Sequence, residues 1–295
     1  MDKILITGGK GMLGSHLQQI LPNAHYVGSE YDLRDWLKAK DLFKNFKPTH
    51  VIHLAARVGG IQDNISKPAE YIDDNILINT NVLKLCLTHN VKRFTAMLST
   101  CAYPNVANSY PMEEEILFSG PPAPTNFSYG YSKRCLAVQI GAYNKQYGTK
   151  YNYIIPCNLY SEYDNFRNKN KMHFVTALLK KIKESKNYIN LLGTGNPLRQ
   201  FMYAGDLARV IKEIYKNDIV ENFNVAPDYN YSINDMAIIA INKLNPDLKI
   251  KYSNPELDGQ YRKDVSSKKM KNLLPNFKFT SFEEGIEKVY KIIKK

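Results

Sequence analysis

Near its amino end the chain reads Ile4-Leu5-Ile6-Thr7-Gly8-Gly9-Lys10-Gly11-Met12-Leu13-Gly14 before a helical pattern begins. The apolar run followed at once by glycines predicts a short buried strand and a turn. Glycines at 8, 11 and 14 let the backbone turn tightly and approach a pyrophosphate, and let the next helix pack close to the strand with its first N–H groups facing the negative charge. Such a spacing alone is weak evidence. Its position at the first strand-to-helix junction of a β-α-β unit gives it weight, and makes Gly8, Lys10, Gly11, Met12, Leu13 and Gly14 candidate contacts for a dinucleotide.

Outward from this turn, short apolar runs alternate with helix-period segments, the pattern of a mostly parallel sheet. Strands are expected at Ile4 to Thr7, His25 to Val27, Val51 to Leu54, Phe94 to Ser99 and Tyr153 to Ile155. Helices are expected at Gly14 to Leu21, Asp35 to Phe46, Ile76 to Thr88 and Lys133 to Tyr147. The fold class is α/β, a doubly wound parallel sheet of the Rossmann kind with right-handed crossovers. After Pro156 the rhythm is irregular, with a helix from about Phe174 to Lys183, a strand near Leu191-Leu192, a Gly-Thr-Gly turn and a helix from Asp206 to Tyr215. This predicts a dinucleotide-binding domain over 1–160 plus about 196–226. A smaller α/β lobe for substrate takes about 161–195 plus 227–295.

The 295 residues are ample for such a core. The net charge of +12 admits nucleic acid, an acidic membrane or anionic small molecules as partners. The basic residues are scattered, in clusters no longer than pairs such as Lys180-Lys181, Lys268-Lys269 and Lys294-Lys295, and no aromatic-basic pattern accompanies them. Phosphate-bearing ligands are therefore expected, and no nucleic acid. No stretch has the length of apolar sequence needed to span a membrane, and Met1-Asp2-Lys3 running straight into Ile4 leaves no room for a secretory signal. A cytoplasmic protein with no membrane partner is expected. Cys86, Cys101, Cys135 and Cys157 are widely spaced, which speaks against disulfides and a metal site.

Proton chemistry is suggested by a Tyr-x-x-x-Lys spacing. It occurs twice among 21 tyrosines, at Tyr129/Lys133 and Tyr290/Lys294. Tyr129 follows Ser99, at the end of a strand, and four residues on a helix bring Tyr129 and Lys133 onto one face. Tyr290 sits in the basic C-terminus, where a surface helix is the better reading. Reduction of a ketone by hydride needs a proton for the oxygen. Tyr129 would supply it, its pKa lowered by Lys133, while Ser99 or Thr100 hydrogen-bonds the carbonyl.

The Gly-x-x-Gly-x-x-Gly turn resembles that of extended short-chain dehydrogenases/reductases, and Asp32-Leu33 resembles their adenine-contacting pair. Lys10 is placed to meet a 2′-phosphate, whereas Glu30 is placed to bind a free ribose hydroxyl and repel that phosphate. NADP(H) is the expected cofactor, with Glu30 pointing the other way.

Further segments resemble the GDP-L-fucose synthase family along nearly the whole chain. These are His53-Leu54-Ala55-Ala56-Arg57-Val58-Gly59-Gly60, Ser99-Thr100-Cys101-Ala102-Tyr103-Pro104, Pro124-Thr125-Asn126, Asn158-Leu159-Tyr160, Asp164-Asn165-Phe166, Gly193 to Phe201, and Asp258-Gly259-Gln260-Tyr261-Arg262-Lys263. The resemblance implies a homodimer and a GDP-linked 4-keto sugar that is epimerised at C-3 and C-5 and then reduced at C-4. It implies Cys101 as base, His173 as acid, Ala55 beside the cofactor, and Asn158, Lys181, Arg199, Asp258 and Lys263 on the substrate. Inversion needs a base on one face of a carbon and an acid on the other. Ser99 and Tyr129 can stabilise the enolate, and the Arg199 fork suits a diphosphate. Read without the family, a residue such as Cys101 is more often a buried apolar side chain and one such as His173 more often a hydrogen-bonded core or surface side chain.

Two departures stand out. Ser161-Glu162 occupies the place of the family's Gly-Pro, and Leu192 that of a Trp before the Gly-Thr-Gly turn. The alternatives are a C-4 reductase for another nucleotide-linked 4-keto-6-deoxy sugar or heptose, with or without epimerase activity, and a nucleotide-sugar 4-epimerase or dehydratase. From another class comes a non-catalytic NADP-binding sensor or scaffold, which has no use for a Ser99, Tyr129 and Lys133 set.

Overall fold

The computed structural model describes residues 2–166, 172–255, 258 and 260–293. Gly259 of the Asp258 motif, Lys294 of the second Tyr/Lys pair, Lys295 and Met1 lie outside the described residues. The first half contains β1 (Ile4–Thr7), α1 (Met12–Ile20), β2 (His25–Val27), α2 (Trp36–Phe46), β3 (His50–His53), α3 (Ile61–Ser66), α4 (Pro68–Thr88), β4 (Arg93–Met97), α5 (Phe127–Tyr147) and β5 (Lys150–Pro156). After these come β6 (Asn158–Tyr160), α6 (Phe174–Glu184), β7 (Tyr188–Leu192), β8 (Leu198–Arg199), β9 (Phe201–Tyr203), α7 (Ala204–Lys216) and β10 (Phe223–Val225). The chain closes with β11 (Tyr231–Ser232), α8 (Ile233–Leu244), β12 (Lys249–Ser253), α9 (Lys268–Leu273) and α10 (Phe282–Ile293).

Six strands form one parallel sheet in the order β10-β5-β4-β3-β1-β2. Strand β1 pairs with β2 on one side and β3 on the other, so the order reverses there. In a doubly wound sheet, the crevice beyond the carboxyl ends at that reversal is where a ligand binds. The glycine turn after β1 and the His53-to-Gly60 segment after β3 both open onto it.

Two expected helices begin earlier than the apolar pattern indicated. Helix α4 starts at Pro68, a residue suited to a first helical turn. Its early inward face is polar: Asn75 is fully buried and hydrogen-bonds both the N–H and the C=O of Arg57, which apolar periodicity does not reveal. Helix α5 starts at Phe127, so Tyr129 lies in its first turn and Lys133 in its second.

Buried apolar side chains form two clusters. One fills the space around the parallel sheet and includes Val265 and Met270, which the sequence expectation placed in the smaller lobe. The other joins Val175, Leu178 and Leu179 of α6, Met236 and Ile241 of α8, and Phe282 and Ile286 of α10. Around the second cluster lie three two-stranded sheets, β6-β9, β7-β12 and β8-β11. Strands of two or three residues are too short to show a period.

Candidate active site

The turn after β1 is shaped by contacts that no side chain beyond hydrogen allows. Gly8 has φ +68°, and a Cβ there would lie 2.7 Å from the Ala55 nitrogen at the end of β3. A Cβ on Gly14 would collide with the Gly9 carbonyl oxygen. The turn is thus pressed against both the neighbouring strand end and its own helix, as a pyrophosphate cradle requires. Leu13 anchors α1 in the core and Met12 is partly exposed beside it. Beneath the turn His53 is buried, its Nδ1 2.7 Å from Thr7 Oγ1 and its Nε2 3.0 Å from Asn79 Oδ1. Burial pushes its pKa down to about 4, so it is neutral.

At the rim the two residues with opposing implications for the cofactor turn out to be partners. Lys10 Nζ lies 2.8 Å from Glu30 Oε1, which also accepts the Gly28 N–H at 3.0 Å. These bonds, that of Lys10 foremost, hold Glu30 down at about 2. Asp32 is engaged by Arg34 at 2.8 and 2.9 Å and is likewise held at about 2 by that bond. Arg34 also reaches Asp74 at 3.0 Å, which accepts from Arg57 at 2.8 Å. Leu33 is buried in the sheet core. The rim therefore offers cations paired with carboxylates, of which Glu30 and Asp32 are well enough exposed to exchange, rather than a bare acidic group.

Beyond β4 the chain forms a short 3-10 turn at Thr100–Ala102, with the Ser99 side chain accepting the Cys101 N–H at 3.2 Å. This brings Ser99, Cys101, Tyr129 and Lys133 together. The Ser99 hydroxyl is a hydrogen-bonding neighbour of both the Cys101 thiol and the Tyr129 phenol. Lys133 is buried, its Nζ donating to the Met97 carbonyl at 2.8 Å and lying 5.7 Å from the centre of the Tyr129 ring. Burial lowers its pKa to about 8. The expected lowering of Tyr129 by Lys133 is not what the site does. Burial first, then the nearby Cys101 charge, push the phenol well above its ordinary value, against the pull of Ser99. Tyr129 is accordingly a protonated donor at neutral pH.

Cys101 is held in the opposite sense. Burial pushes the thiol up, but the charge and hydrogen bond of Lys263, with help from Ser99 and Asn126, bring it below the ordinary thiol value. Lys263 Nζ lies 2.8 Å from Cys101 Sγ. Among the other cysteines, Cys86, Cys135 and Cys157 are all raised by burial.

His173 is the residue immediately before α6, in extended conformation. Its Nδ1 lies 3.0 Å from Asp164 Oδ1, and its backbone N–H reaches Asp164 Oδ2 at 3.2 Å. Its side chain is 45% exposed, so burial pulls the imidazole pKa down only in part, and the hydrogen bond and charge of Asp164 outweigh it and raise the value.

The residues expected on the substrate divide. Arg199, its pKa lowered by burial, feels the charge of Cys101, and its guanidinium donates to the Leu198 carbonyl at 2.8 Å. Lys263 joins the cluster around Cys101 as described. Asn158 donates to the Gln200 carbonyl at 3.0 Å, tying β6 to β9, and Lys181 donates to the Asn190 carbonyl at 2.6 Å. Asp258 accepts the Thr194 N–H at 2.9 Å and its hydroxyl, closing the Gly-Thr-Gly turn. These three therefore have structural partners. Tyr290 packs against the second core, away from this cluster.

Both departures have a visible setting. Buried His16 of α1 bonds Ser161 Oγ at 2.8 Å, and Glu162 accepts from Tyr203 at 2.8 Å, so this loop is fastened to the cofactor helix. Leu192 is 57% exposed, an apolar surface without an aromatic ring. Sequence reasoning assigned no role to Asp164, Asn126 or Tyr71, whose ring meets that of Tyr129 edge-on at 6.3 Å. Nine residues separate Asp164 from His173, and that spacing carries no recognisable signal.

Residues 4–226 match the NAD dependent epimerase/dehydratase family. A GDP-L-fucose synthase of Dictyostelium discoideum is 35% identical over 96% of this chain and 92% of its own length. Among solved structures, a GDP-L-fucose synthetase from Naegleria fowleri bound to NADP superposes with a TM-score of 0.89 at 32% identity, covering 99% of this chain and 92% of that one. A GDP-6-OMe-4-keto-L-xylo-heptose reductase from C. jejuni gives a TM-score of 0.90 at 26% identity, covering 99% and 97%. With its glycine turn at the sheet reversal and its Ser99, Tyr129 and Lys133 cluster, the chain belongs to the NAD dependent epimerase/dehydratase family and, within it, to the GDP-L-fucose synthases.

Proposed function

We propose that the protein is an NADPH-dependent 3,5-epimerase/4-reductase that converts GDP-4-keto-6-deoxy-D-mannose to GDP-L-fucose. The observation that carries this reading is Cys101, with its lowered pKa, set beside the protonated Tyr129 and the Ser99 hydroxyl. A plain reductase has no need of a base there.

The Gly8 and Gly14 cradle fits a dinucleotide diphosphate, and Lys10 with Arg34 fits the 2′-phosphate of NADP. When bound, NADPH supplies the hydride for C-4. Around it, Lys133 is placed to hold the ribose, and Ser99 with Tyr129 to hydrogen-bond the C-4 oxygen. Cys101 removes the proton at C-3 and later at C-5. The electron pair moves onto the C-4 oxygen as an enolate, held by Ser99 and Tyr129. His173, its imidazole pKa raised by Asp164, returns a proton to the opposite face of the carbon, and both residues are reset by exchange with water. In the last step Tyr129 gives its phenolic proton to the C-4 oxygen. Arg199 is placed to take the diphosphate, with Asn158, Lys181 and Asp258 shaping that side of the cleft.

On this reading, residues 1–160 with about 196–226 form the cofactor domain, against whose core 265–279 also packs, and 161–195 with the rest of 227–295 forms the substrate lobe. We also read the chain as a cytoplasmic homodimer with no nucleic-acid or membrane partner. Leu77 of α4 and Val138 of α5 expose apolar side chains on neighbouring helices, a face that suits a second copy. Among the described residues no helix is long and apolar enough to cross a membrane, and no cluster of metal ligands occurs.

The test is product identification after incubation with GDP-4-keto-6-deoxymannose and NADPH. GDP-L-fucose supports the reading. A product reduced at C-4 but not inverted would favour a C-4 reductase of another 4-keto sugar or heptose, the reading to which Leu192 and Ser161-Glu162 lend weight.

A further inference from the structure

Lys263 is 9% exposed, and its ammonium touches a sulfur 162 residues away in sequence. The flanking chain is pinned. Arg262 is spent on Asp264 at 2.6 and 3.0 Å, and the Asp264 carbonyl and Ser266 N–H bond the backbone of Met112. Among the described residues no carboxylate lies within ion-pair distance of Lys263, because its neighbour Asp264 is taken by Arg262. A largely buried ammonium without a counter-charge is unfavourable, and a neutral thiol is a poor acceptor for it. The ammonium and thiolate together satisfy both groups.

The other groups facing Cys101 do not replace this contact. Lys133 and Tyr129 approach from α5 and Arg199 from β8, with Ser99 and Asn126 as hydrogen-bonding neighbours. Lys133 is turned to the Met97 carbonyl and Arg199 to that of Leu198. No anionic side chain is among them.

We propose that Lys263 is a positioning residue that holds Cys101 as a thiolate, ready to act as base, rather than a ligand of the sugar diphosphate. The proposal rests on the reading of Cys101 as the base. In each inversion the thiolate takes the carbon-bound proton and becomes a thiol, the electron pair passes to the C-4 oxygen, and Lys263 keeps its own proton throughout. Loss of the thiol proton to water then restores the ammonium–thiolate pair.

The experiment is the rate of alkylation of Cys101 by iodoacetamide between about pH 5 and 10, with each cysteine followed by peptide mass spectrometry. It uses the full chain without nucleotide or sugar, and Cys86, Cys135 and Cys157 serve as internal controls. Wild-type Cys101 is expected to react with an inflection below the ordinary thiol value of about 8.5. Lys263→Met should move that inflection up and slow the reaction at pH 7 by about tenfold or more. Lys263→Arg should keep it low. A wild-type inflection at or above the ordinary value overturns the proposal whether or not the Met variant folds, and so does an unmoved inflection in a folded Met variant. In turnover, Lys263→Met should lose C-3 exchange at pH 7 and recover part of it at higher pH with little change in KM. A rise in KM alone, at every pH, marks a substrate contact and also overturns it. A thiolate that depends on Lys263 in a protein showing no exchange at all would uphold the pair and remove instead the reading of Cys101 as base.

Discussion

His173 Nδ1 lies 3.0 Å from Oδ1 of Asp164, a carboxylate only 4% exposed that also accepts the His173 backbone N–H. The pair raises the pKa of an imidazole that burial would otherwise lower. The acid form of His173 is present below the raised value and is lost as pH rises through it.

Asp164→Asn removes the charge and keeps an oxygen for the hydrogen bond. Exchange at the opposite face should fall by about tenfold or more, since correctly poised proton transfer contributes about 10²–10⁴. The basic limb of the pH profile should move to lower pH, because the histidine then loses its proton earlier. A loss in rate with an unmoved basic limb would mean that Asp164 only shapes the loop.

Epimerisation and reduction should separate in two variants. Tyr129→Phe removes the phenolic proton that burial and the Cys101 charge keep in place. NADPH consumption at C-4 should drop by about 10²–10⁴, while exchange, with Ser99 still present, falls less. Cys101→Ser should do the reverse, abolishing exchange while leaving reduction of an already inverted sugar. Equal loss of both activities in Tyr129→Phe would contradict the assignment.

Glu30→Gln tests the rim. The exposed Lys10–Glu30 pair is worth about 1 kcal/mol or less, and a Gln retains an oxygen for the Gly28 N–H. Freed Lys10 should raise the kcat/KM ratio of NADPH over NADH by up to about fivefold. A ratio that is unchanged or reduced would show that Lys10 does not face the 2′-phosphate.

His53 makes the fold sensitive to acid. Its folded pKa, about 4, lies below the unfolded value of about 6.5. The unfolded chain therefore binds the proton first. The stabilisation is complete above the unfolded value and is lost as pH falls toward the folded one, on the order of 2 kcal/mol between pH 7 and 5. Urea midpoints at the two pH values measure it. His53→Gln should be less stable at pH 7 but should lose less on going to pH 5. An equal loss in both proteins would assign the acid sensitivity to other groups.

The first half of the fold was legible because β1, β2 and the cofactor turn are local. Ile4 to Gly14 contain the strand, the turn and the helix start, and the Tyr129/Lys133 spacing needs only one helix. The polar inward face at the beginning of α4 hid its start, since buried Asn75 bonds backbone rather than packing apolar surface, and α5 begins on a Phe-Ser-Tyr-Gly-Tyr-Ser run with no helical apolar period. The strand pairs β6-β9, β7-β12 and β8-β11 bring together segments remote in sequence, and in the two- and three-residue strands of the first and last pairs no period announces them. The same distance hid the contact of Lys263 with Cys101 and that of Asp164 with His173. The resemblance placed Lys263 near the substrate, while its partner became visible only when the chain was folded. Lys10 and Glu30 were both legible, but as opponents rather than as a pair.

The most direct test of the central claim is incubation with GDP-4-keto-6-deoxymannose in deuterated water without NADPH, read by mass and NMR spectroscopy of the recovered sugar. Deuterium at C-3 and C-5, followed by GDP-L-fucose once NADPH is added, is the expected result. A sugar recovered without deuterium at either carbon, yet reduced at C-4 when NADPH is supplied, would contradict the epimerase role of Cys101 and His173.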